Sequence, residues 1–85
     1  MPVVSRFFGI VVFMHWRDHR PAHFHARYGD EEVAIDISTG AVTGSMSRRA
    51  LVLLEEWRQL HEQELLVNWR LAEQRRQLIP IPSLE

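Results

Sequence analysis

Between Ser47 and Gln77 the chain has neither glycine nor proline, and apolar residues recur at helical spacing: Ala50, Leu53, Leu54, Trp57 and Leu60, then Leu65, Leu66, Trp69 and Ala72. A stripe of that period commits the second half of the chain to helix with one buried face. Ser47 stands where an N-cap is needed. The polar segment His61-Glu62-Gln63-Glu64 interrupts the stripe, so two helices are expected rather than one. Ile79-Pro80-Ile81-Pro82 cannot be helical, because proline has no amide donor, and is expected to lie extended across the surface.

The first half has the other period. Arg6 to Trp16 is rich in Phe, Val and Ile and apolar on both alternating faces, which reads as a central strand covered on both sides. Asp18-His19-Arg20-Pro21 ends it. His23 to Tyr28 and Glu32 to Ile37 alternate cleanly and form an antiparallel hairpin; Ser38-Thr39-Gly40 turns the chain again into a short edge strand, Ala41 to Thr43. A loop of Asp30-Glu31, or of Gly29 to Glu32, sets Tyr28 across from Val33, Ala26 from Ile35 and Phe24 from Ile37, all apolar. On the other face that register sets His25 opposite Asp36, and Arg27 opposite Ala34. The expected fold is α+β in a single domain spanning residues 1–85: an antiparallel meander of three or four strands (1–46), two helices packed on one face of it (47–78) and a tail (79–85).

A chain of 85 residues is near the size at which burial only just offsets conformational entropy, which leaves room for a partner chain or a homo-oligomer. Hydrophobic residues at 46% and charged ones at 25% place it among folded proteins rather than disordered ones. Without cysteine it has no disulfide framework and no cysteine zinc site, which fits a reducing, cytoplasmic setting. Phe7 to Met14 is too short to span a bilayer, and with Arg6 alone ahead of it and no small-residue cleavage site after it, it makes a poor signal peptide. A net charge of −1 argues against a strongly basic nucleic-acid binder but permits a local basic patch. All ten basic residues are arginine, each a planar fork for carboxylate or phosphate, although a GC-rich genome produces the same bias.

Four of the five histidines fall between His15 and His25. His23 and His25 are two apart on a strand, so both rings leave the same face. With Asp36 holding one tautomer of His25, His23 as its counterpart and Arg27 as a cation, the set suffices for metal-independent cleavage of RNA through its 2′-hydroxyl, with no cofactor. The same atoms suit a divalent metal such as zinc, with His23 and His25 as ligands and His15, His19 or Asp36 completing the shell, although His-x-His lacks the longer spacings of zinc signatures. A third reading makes His25 and Asp36 an ordinary cross-strand pair on a solvated face.

Trp16 beside Arg17 reads as a stacking surface for a base or an interface anchor, with His19 near it as a further substrate or partner contact. Trp57 and Trp69 belong to the buried helical stripe. His61, at the helix junction, reads as structural. Arg48, Arg49, Arg75 and Arg76 can meet phosphate or remain solvated, and the last two also suit a helix dipole. No helix-turn-helix pattern or basic recognition helix points to DNA.

Arg6-Phe7-Phe8-Gly9-Ile10, Asp18-His19-Arg20-Pro21-Ala22-His23-Phe24-His25, Tyr28-Gly29, Glu56-Trp57, Glu64-Leu65-Leu66, Asn68-Trp69 and the closing Ile81-Pro82-Ser83-Leu84-Glu85 run through nearly the whole chain. Together they resemble the small bacterial family known as domain of unknown function 4160. Ala22 departs from it, since that family more often has a second proline there. The resemblance implies no activity, only context: a co-encoded small protein partner in an arrangement like a toxin–antitoxin pair. The resulting expectation is a toxin-like, RNA-binding and RNA-cleaving component with no membrane association. The alternative is a non-enzymatic module that binds metal through its histidines or docks a partner through its helices.

Overall fold

Phe8 and Gly9 both take left-handed backbone conformations (φ 49° and 81°), as a two-residue I′ hairpin turn requires of both its central residues. The apolar run that opens the chain is therefore two strands, β1 (Val3–Phe7) and β2 (Ile10–Phe13), paired antiparallel. Apolar residues on both sides of this turn hide it from a count of alternation. In the computed structural model, which describes residues 2–84, β3 (His23–Tyr28), β4 (Glu31–Asp36) and β5 (Val42–Gly44) complete a five-stranded antiparallel meander. The expected three or four strands become five. Met1 and Glu85 lie outside the described residues.

The β3–β4 register also differs from expectation. Gly29 (φ 60°) opens the two-residue loop Gly29-Asp30, the position at which a II′ turn takes glycine, so Tyr28 pairs with Glu31. Phe24 then faces Ile35, Ala26 faces Val33 and His25 faces Ala34, while Asp36 faces His23 rather than His25. The slip is by two residues, and an even slip leaves every side chain on its expected face. Ile37, expected opposite Phe24, instead donates its amide to the Ala22 carbonyl at 3.0 Å.

The helical half divides at His61 into α1 (Arg48–Leu60) and α2 (Glu62–Glu73), with Ser47 Oγ accepting from the Ala50 amide at 3.3 Å as the N-cap. α2 stops before Gln77 because Arg75 turns left-handed (φ 58°): its amide donates to the Ala72 carbonyl, and that of Arg76 to Leu71. This is the paired bonding of a Schellman cap, with arginine where glycine is usual.

Both helices lay their stripe on one sheet face. Leu54, Trp57, Leu65, Trp69 and Ala72 form one buried cluster with Ile10, Val12, Met14, Phe24, Ala26, Val33 and Ile35. The tail is extended, as its prolines require, but it is clasped rather than laid on the surface. Asn68, fully buried, donates to the Ile79 carbonyl and accepts its amide, both at 2.8 Å; Trp57 Nε1 reaches the Pro82 carbonyl, and the Ile81 amide reaches Val4. Buried Arg58 forks onto Glu55 and donates to the Ile37 carbonyl at 2.8 Å, tying α1 to the end of β4. Among the described residues no helix is long and apolar enough to cross a membrane.

Candidate functional site

The face of the sheet opposite the main helical core carries the odd-numbered residues of β3: His23, His25 and Arg27. The loop from β2 to β3 returns over this face, and the carboxylate that meets the histidines comes from it. Asp18 Oδ2 lies 3.0 Å from His23 Nε2 and 3.1 Å from His25 Nε2. The three ligand-type atoms all fall within 4.8 Å of one another.

Each ring is held from behind. His23 is buried and leans on Trp69 with ring centres 5.3 Å apart; His25 stacks on Phe13, its cross-strand neighbour, at 5.3 Å and 15°. Phe13 is buried despite standing on the open face, and the Arg27 guanidinium lies over its ring, 5.6 Å from the centroid. Burial pushes the Asp18 carboxyl up, but the His25 hydrogen bond, the His19 backbone amide and the attraction of both imidazoles outweigh it and hold the pKa at about 2. Asp18 is therefore a carboxylate throughout the physiological range.

The tautomer of His23 decides what this arrangement can do. Its Nδ1 is 2.8 Å from the Pro21 carbonyl, which only accepts, so Nδ1 carries a proton. In the neutral ring Nε2 is then a lone pair, aimed at a carboxylate oxygen that is also an acceptor. Two facing acceptors at 3.0 Å are joined either by a second ring proton or by a cation. The Nδ1–H to carbonyl bond is also the support that metal-ligating histidines commonly have. Ligand atoms about 2.0–2.2 Å from one tetrahedral metal ion stand roughly 3.3–3.6 Å apart, a few tenths of an ångström beyond the two Asp18–histidine spacings here.

In front of these residues is a cleft of about 340 Å³, lined by His19, Pro21, His23, His25, Ala34, Asp36, Ala41 and Thr43. Small side chains at Ala34 and Ala41 leave it open. Of the residues expected at the site, His23 and His25 converge. Exposed His19 lines the cleft mouth, its ring 5.1 Å from that of His23, and His15 stands edge-on to His25 at 4.6 Å. Asp36 lines the cleft, but its Oδ1 accepts the Ser38 and Thr39 amides, both at 2.9 Å, and the orienting contact to His25 expected of it is made by Asp18. Arg27 pairs with Glu32 at 3.1 Å and does not line the cleft. Trp16 and Arg17 face away from it, toward the end of α2: Trp16 Nε1 donates to the Arg76 carbonyl and the Arg17 amide to Ala72.

In the sequence Asp18 reads as part of a chain break and of the family resemblance, not as a partner of the histidines. The signal that marks it is its place as the single carboxylate in the histidine run, five residues before His23 with Pro21 between them.

No curated protein and no solved structure matches the chain. A family model does match residues 9–70, and the chain belongs to the family described as Domain of unknown function (DUF4160).

Proposed function

We propose that Asp18, His23 and His25 hold a divalent transition-metal ion of the zinc class, with its open positions toward the cleft, as a hydrolytic centre. The observation that carries this is the His23 ring: its Nδ1 proton is committed to the Pro21 carbonyl, and its Nε2 faces a shared carboxylate oxygen. Two imidazoles and one carboxylate suit zinc or iron(II) better than calcium or magnesium, which prefer all-oxygen shells. Three protein ligands leave a position for water, and a zinc-class ion lowers the pKa of that water to about 7. His19, exposed at the mouth, is placed to exchange a proton with the cleft.

The second reading keeps the same residues without metal: acid–base cleavage of RNA, in which ionised Asp18, rather than Asp36, orients both imidazoles. It is favoured by the hydrogen bonds of Asp18 to the two rings. A role as the toxin-like half of a two-protein pair is compatible with either and rests on the family resemblance.

One experiment separates them. The purified chain is stripped with chelator, titrated with Zn²⁺ and followed by elemental analysis and thermal melting. One ion per chain, a melting temperature that rises with ion concentration, and loss of both in Asp18→Asn and His25→Ala are expected. Absence of saturable uptake of zinc and iron(II) overturns the metal centre. RNA cleavage that survives chelator but not His25→Ala establishes the second reading.

A further inference from the structure

Away from the cleft, where the β2–β3 loop meets the end of α2, is a hollow of about 390 Å³ lined by Trp16 and Arg75. Trp16 is 50% exposed, an uncommon position for a large aromatic ring, yet it is not loose. Its indole N–H donates to the Arg76 carbonyl at 3.1 Å, which fixes the ring with a face toward solvent.

Arg75 lines the hollow with it, the Arg76 backbone carbonyl accepts its indole N–H, and Arg17 follows it in the chain. Arg17 and Arg75 are both left-handed (φ 57° and 58°), and their amides both donate to the Ala72 carbonyl, at 3.1 Å each. One helix end therefore sets both arginines. The three residues are exposed and none has an acidic partner among the described residues, as is also true of Arg6, Arg48, Arg49 and Arg70, whereas Arg20, Arg27 and Arg58 pair with Glu73, Glu32 and Glu55. A left-handed arginine costs more than glycine in the same place, so the cap alone does not account for Arg75.

We infer that the Trp16–Arg75 hollow, with Arg17 and Arg76, is a subsite for single-stranded nucleic acid, Trp16 stacking a base and the arginines meeting the flanking phosphates. A fixed aromatic face beside unpaired cations is the combination that binds a base and its backbone together. The strand is single because in a duplex the base faces are already stacked. Trp16 and Asp18 are two residues apart, at most about 7 Å along the chain, so the hollow and the histidine cleft share the β2–β3 loop although they face different ways. The subsite stands whether or not the cleft holds a metal.

The test uses the full chain in the presence of chelator, so that its outcome is independent of the metal centre. A fluorescein-labelled oligouridylate is titrated and read by anisotropy at two salt concentrations, with double-stranded RNA as comparator. The single strand is expected to bind more tightly than the duplex and more weakly as salt rises. Trp16→Ala is expected to weaken it about tenfold or more, and Arg75→Gly to weaken it and flatten the salt dependence by about one unit of slope. Arg75→Gly relieves the left-handed backbone, so its melting temperature should equal or exceed that of the parent and exclude misfolding as the cause. No binding at low salt, equal binding of duplex, or binding indifferent to Trp16→Ala overturns the subsite.

Discussion

Two carboxylates stand near the paired histidines, Asp36 in the lining of the cleft and Asp18 against the two rings, and what each one bonds sets them apart. Asp18 spends an oxygen on two imidazoles; Asp36 spends one on the amides of Ser38 and Thr39, closing the turn into β5. The Thr39 amide is the main cause holding the Asp36 carboxyl below its usual range, against the upward push of burial, with the Ser38 amide adding to it. A carboxyl lowered by folding binds its proton less readily in the native state, so its stabilisation is complete above the unfolded pKa, near 4, and fades as pH falls through the native value. Asp36→Ala should therefore cost about 1–2 kcal/mol near neutral pH and less in acid, measured by urea unfolding from about pH 6 down to about pH 3. Its uptake of Zn²⁺ should stay within a few-fold of the parent. An equal loss at all pH values would contradict the turn role, and abolished zinc uptake would make Asp36 a ligand.

At the scale of elements, turns set the sheet more than strands do. The β1–β2 turn places Phe8, 59% exposed, in a left-handed conformation that asparagine tolerates better. Phe8→Asn creates the preferred Asn-Gly pair of a I′ turn and should stabilise the chain by about 0.5–1 kcal/mol, read as a shift of the urea midpoint at constant slope. A lower midpoint would show that the exposed ring contributes more than the turn conformation costs. The next hairpin makes the same point: Gly29 centres the turn on Gly29-Asp30, and that alone moves Asp36 from His25 to His23. Alternation gave the face of each residue correctly because an even slip preserves it. It carried no information about which of two registers the glycine would select.

For the molecule as a whole, the helices do more than cover the sheet. α2 holds the tail through Asn68, backs His23 with Trp69 and receives the β2–β3 loop at Ala72, so the site, the helix and the tail form one connected unit. Asn68→Ala leaves both the amide and the carbonyl of Ile79 without their side-chain partner and should cost about 2–3 kcal/mol. That is a large part of the stability of a domain this size. Chemical unfolding should register the loss, and limited proteolysis should show cleavage after Leu78 at lower protease concentration than in the parent. Unchanged stability and proteolysis would mean that the tail is held by Trp57 and Ile81 alone.

The residues alone determined the α+β class, the helical division at His61, the Ser47 cap and the common face of His23, His25 and Arg27. Each depends on local quantities, such as side-chain period, capping chemistry or a helix-breaking residue, that act within a few positions of the chain. Tertiary structure decided the rest: Asp18 folding back onto two histidines, Asp36 turning to its own loop, Arg27 pairing with Glu32, and Trp16 meeting the end of α2 sixty residues away. Those contacts follow from where turns place the chain in space, and no periodicity records a loop's return path. The histidine run located the cluster, and the fold turned the run's own carboxylate, Asp18, onto two of its rings.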